Sequence, residues 1–197
     1  MIIAVILLVL GLIAGLARGG KLENVANLKF HYPILVFLGL GIQVTSEIYA
    51  AYALPELRND GRGMVILVSS FVLLIAFVAL NARMPGMLIV GFGLFLNILV
   101  IVLNDGMPVS LEAARVLGID FSDYLDSAIK HRELDSGTVL AFLGDIIPIP
   151  VIDNIVSIGD MVLGVGVFVL VERAVEYKPR RRRGRFGSGA PAEDKQR

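Results

Sequence analysis

"MVILVSSFVLLIAFVAL", residues 64–80, runs for seventeen positions without a charged side chain, and only Ser69 and Ser70 interrupt its hydrocarbon. A helix of that length reaches about 25 Å, close to the roughly 30 Å hydrocarbon core of a bilayer, so lipid is the solvent such a run expects. Four more runs share its character: Ile2 to Ala17, Pro33 to Leu54, Gly86 to Leu103 and Ile155 to Val171. The 197-residue chain is 56% hydrophobic with a mean hydropathy of +0.77, which excludes an ordinary water-soluble core. The expected fold is therefore all-α, an integral membrane bundle of five transmembrane helices. The first, third and fifth runs are short, which implies local bilayer thinning or snorkelling at their ends.

Charge orients the bundle. The formal net charge is zero, yet "KPRRRRGR", Lys178–Arg185, is the densest basic run, with Arg173 just before it. Basic flanks stay cytoplasmic, and Arg18, Lys21, Lys29 and Arg83 agree with that assignment. Five spans then place the amino end outside. The first run has no basic residues ahead of it, so it reads as a retained helix and not as a cleaved signal. Tyr32, Tyr49, Tyr52 and Tyr177 fall near helix ends, where a ring with one wet edge is stable.

Residues 1–177 form the expected membrane domain, and 178–197, rich in Arg, Gly, Ser, Pro and Ala, read as a disordered basic tail. That tail is expected to rest on anionic lipid head groups, not on a specific nucleic acid. Residues 104–154 are too long for a plain connector, so the outer loop should carry its own structure. "PVSLEAARVLG" reads as a short helix, capped by Ser110, with Glu112 in its first turn and Gly118 at its end. "SDYLDSAIKHREL" reads as a second, capped by Ser122, with Lys130, His131 and Arg132 in its last turn. "SGTVLAFLG", capped by Ser136, reads as a third piece. In "IIPIPVI", Pro148 and Pro150 force the preceding residues into extended angles, so this stretch should lie over the outer mouth of the bundle.

Polar residues collect on that side. Gln43 and Glu47 lie in the outer half of the second helix, Ser69 and Ser70 in the third, and Asn97, Asn104 and Asp105 toward the end of the fourth. Asp160 should lie one or two turns into the fifth. Between Asn104 and Asp160 there are ten acidic residues against three Lys or Arg, so the outer surface is acidic. Carboxylates at membrane depth should face protein or water, with Arg115, His131 and Arg132 as the nearby cations. Gly144-Asp145 and Gly159-Asp160 also fit plain turns or caps, and Asp120, Asp123 and Asp126 fit a solvated helix face. Gly11, Gly15, Gly19, Gly164 and Gly166 permit close approach of helices. The absence of cysteine rules out disulfides, thiolate metal sites and thiol nucleophiles. No metal-spaced histidine pair, phosphate-cradling glycine loop or serine-histidine arrangement occurs, so no metal or cofactor is expected.

Two resemblances follow from these residues. "GLARGGKL" from Gly15, "GMPVS" from Gly106, "LGDIIPIP" from Leu143 and "SIGD" from Ser157 resemble a family of small bacterial integral membrane proteins known as a domain of unknown function. The likeness spans roughly residues 1–172 and implies a bacterial inner-membrane location without an activity. Locally, "VSIGDMVLGVGVFVLV" is similar to the last helix of lipoprotein signal peptidase, an aspartic peptidase. That similarity implies Asp160 and Asp145 as its two catalytic acids. Ser157, Ile158 and Gly159 stand where that family has Asn and Ala, its Asn-x-x-Asp-Arg element is absent, and five helices replace four.

The functional expectation is a non-enzymatic membrane protein whose outward-facing acidic pocket, formed by Glu47, Asn104, Asp105, His131, Asp145 and Asp160, binds a ligand, a cation or a partner protein. Alternatives are the aspartic peptidase and a small transporter, which at this length would act as a homo-oligomer because no inverted repeat is present.

Overall fold

A computed structural model describes residues 2–52, 62–126 and 131–176. The chain is mostly helical: α1 (Ile2–Ala17), α2 (Leu22–Ala26), α3 (Ile34–Tyr52), α4 (Arg62–Leu80), α5 (Met87–Leu103), α6 (Leu111–Leu117), α7 (Phe121–Asp126) and α8 (Ile158–Glu176). Four three-residue strands join them: β1 (Met107–Val109), β2 (His131–Glu133), β3 (Ile147–Ile149) and β4 (Asn154–Val156). One stretch among the described residues, Gly63–Leu80, is by itself long and apolar enough to cross a membrane. Ile2–Ala17, Ile34–Thr45 and Met87–Leu103 are apolar but shorter. The basic tail from 178 onward lies outside the described residues.

The long helices form a row. α1 packs on α8, α8 on α5, α5 on α4 and α4 on α3. Glycine sets the spacing around α8. A Cβ on Gly11 would meet the carbonyl oxygen of Phe168 at 2.6 Å, one on Gly93 the backbone nitrogen of Leu163 at 2.5 Å, and one on Gly166 that of Val90 at 2.5 Å. Small residues thus let three backbones approach where a methyl group would hold them apart. Gly19 departs from the expected packing role: its φ of +81° makes a left-handed turn with open space around it. On the other flank, Phe71, Leu74, Phe77 and Val78 of α4 bury against Leu94, Val100 and Ile101 of α5.

Polar clamps close the end of the row that lies away from residues 104–157. Asn81 accepts the His31 backbone N–H at 2.8 Å and donates to the His31 carbonyl at 3.0 Å, tying the α2–α3 connection to the end of α4. The buried carboxylate of Glu172 pairs with Arg18, while Asn24 donates to the Val175 carbonyl at 2.7 Å.

The described residues of 104–157 form the cover, where short helices alternate with short strands. Ser110 caps α6 by accepting the Ala113 N–H, and Gly118 ends it in a left-handed turn, as local signals dictate. The second helix is described over Phe121–Asp126, and Asp120, not Ser122, serves its start by accepting the Ser122 N–H at 2.9 Å. His131 and Arg132 are not in its last turn. They lie in β2, which pairs in parallel with β1, a distant partner that helix-end chemistry cannot reveal. Lys130 lies outside the described residues. Residues 136–144 give turns and a single 3-10 turn, Ala141–Leu143, where the Asp135 carboxylate, not Ser136, accepts the Gly137 N–H. The proline stretch is extended as expected, but it returns as an antiparallel hairpin of β3 and β4. Because β4 takes Ile155 and Val156, the last helix begins at Ile158, and Asp160 falls in its first turn instead of one or two turns in.

Candidate functional site

"SIGD" builds the centre of the site. Ser157 precedes α8 and its hydroxyl accepts the Asp160 N–H at 2.9 Å, capping the helix. Asp160 gains in addition from the positive end of the helix dipole. The same hydroxyl donates to Oδ1 of Asn97 at 3.0 Å, and Asn97 Nδ2 donates to Asp160 Oδ1 at 2.7 Å. Three side chains from α5 and α8 thus close a ring of hydrogen bonds. Gly159 is required between them, because a Cβ there would collide with Asn97 Oδ1.

"LGD" supplies the second acid. The Asp145 N–H donates to the Pro108 carbonyl at 2.8 Å and its carbonyl accepts the Ser110 N–H at 2.9 Å, which makes residues 144–145 a ladder beside β1. Gly144 is needed because a Cβ would lie 2.6 Å from Pro108 O. β2 borders β1 as well, and its first residue reaches the acid: His131 Nε2 stands 3.8 Å from Asp145 Oδ2, with both side chains about nine-tenths buried. A protonated imidazole at that separation is an ion-pair partner.

Tyr124 connects the two halves. Its ring stacks on His131 with centroids 4.9 Å apart and planes 6° from parallel. Its hydroxyl titrates well above the usual phenol range, chiefly because it is buried, next because of the negative charge of Asp145, with Asp160 adding a smaller push and a hydrogen bond with the Ile155 backbone opposing them. Both carboxylates therefore act on one phenol.

The remaining expected site residues lie elsewhere. Asn104 is buried and structural: its amide donates to the carbonyls of Val100 at 2.8 Å and Val139 at 2.9 Å and accepts the Val139 N–H at 2.8 Å. Asp105 is exposed in a turn with φ of +56°. Glu47 sits on α3, at the opposite end of the helix row from α1 and two helices away from α5, and its side chain lies outside the described residues. Its neighbour Gln43 donates to Ser70 Oγ on α4 at 3.1 Å. Of the expected cations, His131 reaches a buried acid, Arg115 pairs with Glu112 at 3.5 Å, and Arg132 donates to the Asn104 carbonyl.

Asn97, Ser157 and Tyr124 are the members that sequence reading did not assign to the site. Asn97 carried a signal, as an amide in the middle of a lipid-length run. Tyr124 carried none. Among the described residues, no group of three His, Asp or Glu side chains converges as a metal-ligand set.

Residues 27–172 match a family of unknown function (DUF5317), and the chain belongs to that family. No curated protein and no solved structure matches the chain.

Proposed function

We propose that this chain is a multi-pass protein of the bacterial inner membrane that uses its outer acidic cluster to bind a cationic or hydrogen-bond-donating ligand, or a membrane partner that presents such a group. In this reading five helices, α1, α3, α4, α5 and α8, span the bilayer, the amino end lies outside, and residues 178–197 form a basic cytoplasmic tail on anionic lipid. Support comes from the outward faces: Val5 is 60% exposed, Phe37 69%, Val65 68% and Leu88 69%. Covering each such side chain is favourable by about 1.5–3 kcal/mol relative to water, and lipid covers them all at once.

The observation that carries the binding role is the nine-tenths buried carboxylate of Asp145, 3.8 Å from His131, whose ring stacks on the part-buried Tyr124. Asp145 beside the imidazole and Asp160 at the start of α8 both add negative charge around Tyr124, a region that a positive or donor group complements. An aspartic peptidase instead needs two carboxyls that share one proton. Here Asp145 faces His131 and Asp160 takes the Asn97 amide, so each acid has its own partner. That arrangement favours binding over peptide cleavage.

The test is capture by the purified protein in lipid nanodiscs. Asp145→Asn and Asp160→Asn, each with unchanged helical circular dichroism, should lose the small molecules or crosslinked partners that the unaltered chain retains. Capture indifferent to both substitutions would sink the binding reading. Loss of a peptide-cleaving activity in folded Asp160→Asn would replace it with the peptidase, and acid-dependent flux across liposomes would replace it with a transporter.

A further inference from the structure

We infer that residues 138–143 form an interfacial lipid anchor, with Val139 and Phe142 entering the boundary between head groups and acyl chains of the outer leaflet. The inference rests on the membrane reading above. Asn104, one residue past α5, fixes the height of this segment by gripping both backbone groups of Val139. Leu143 is buried in the same apolar core as Val100 and Ile101, with Leu140 packed against it, so the segment is seated on the end of the helix row. The 3-10 turn Ala141–Leu143 also touches both α5 and α8.

Two side chains turn the other way. Val139 is 47% exposed and Phe142 57%. Asn104 ties the segment to the end of α5, on which Phe95 is 51% exposed, Val102 55% and Leu103 48%. The segment thus sits at the end of a helix assigned to lipid, where an aromatic ring is favoured, at the bilayer interface. Val116, 60% exposed on α6, differs because the exposed Glu112–Arg115 pair lies beside it, and charges keep that surface in water. Leu143 is followed directly by Gly144 and Asp145, so lipid contact at Phe142 would hold the acid-bearing ladder against the helices.

The chain contains no tryptophan, which makes single-tryptophan reporters unambiguous. Phe142→Trp, Val116→Trp and Phe95→Trp are reconstituted in phosphatidylcholine vesicles that carry bromine either high or low on the acyl chain. Phe142→Trp should show blue-shifted emission and lose more fluorescence to the high bromines than to the low ones. Val116→Trp should be quenched by aqueous acrylamide. Phe95→Trp should be quenched by the low bromines, and failure there would remove the spanning reading itself. With Phe95→Trp behaving as a span, acrylamide quenching of Phe142→Trp would overturn the anchor. Shielding of Phe142→Trp from both quenchers would overturn it too, by showing that protein covers the ring. Val139→Trp repeats the measurement should Phe142→Trp lose its helical circular dichroism.

Discussion

A Cβ on Gly93 would lie 2.5 Å from a backbone nitrogen and 2.6 Å from a backbone oxygen of α8, whereas Gly118 in the cover has nothing within 4 Å. The helix row is held by close approach of whole backbones, with long apolar faces left over for whatever surrounds it. The cover is held by individual hydrogen bonds: Asn104 to Val139, Asp145 to Pro108, and Ser110 to Ala113. Its own apolar core is small, with Val109, Ala113, Ala114 and Ile155 at the centre. The site lies on the seam, where Asn97 and Asp160 belong to the row and Tyr124, His131 and Asp145 to the cover. One side is rigid by sterics and the other by a handful of polar contacts.

Substitutions can break this contrast, and the largest effect belongs to the row. Gly93→Leu forces α5 and α8 apart against backbone atoms that cannot rotate away, so a loss of about 3 kcal/mol is expected, read by denaturant unfolding in detergent micelles. An unchanged midpoint would mean that the backbones are not in contact. Asn104→Ala removes the grip on Val139 and should cost about 2 kcal/mol, concentrated in the cover. Hydrogen exchange would rise at Val139 and Leu140 while α1 and α8 stay protected; uniform loss of protection across the chain would contradict two separately held regions. Ser110→Ala deletes one cap and should cost about 1 kcal/mol, visible as faster exchange at Ala113.

The last effect is read in alkali. Tyr124 has a raised pKa in the folded state, so the fold keeps its proton where the unfolded phenol, from about pH 10, already ionises. Unfolding then consumes hydroxide, and the stability of the cover falls as pH rises above that point. Tyr124→Phe should flatten this alkaline limb while costing about 1 kcal/mol at neutral pH through the lost bond with Ile155. An alkaline limb of the same slope in Tyr124→Phe would assign the effect to another group.

Legibility in the sequence follows the same division. Four helices of the row coincide with their apolar runs to within two residues at each described end, because a long apolar helix is specified by its own composition. α6 was equally plain, since a serine cap and a terminal glycine are local signals. β1 and β2 were hidden: "MPV" and "HRE" become strands through a parallel partner more than twenty residues away, and no periodicity announces a three-residue strand. For the site, the acids Asp145 and Asp160 were visible as rare charges beside apolar runs. Of their partners, Asn97 showed only as an amide in an apolar run, and Ser157 and Tyr124 did not show, because what unites them is packing between segments. Glu172 escaped notice for the same reason, lying within a final run that extends to Glu176 and meeting Arg18 from the first helix.

That last pairing has a consequence in time. Arg18 and Glu172 are 154 positions apart, and α1 makes its principal contacts with α8 and few with anything made in between. At roughly 5–20 residues per second of translation, α1 leaves the ribosome about 8 to 30 s before its neighbour exists. Assembly of the row must therefore finish with the newest helix sliding between the oldest and α5, and a nascent chain stalled short of Gly159 would hold a first helix with no mate.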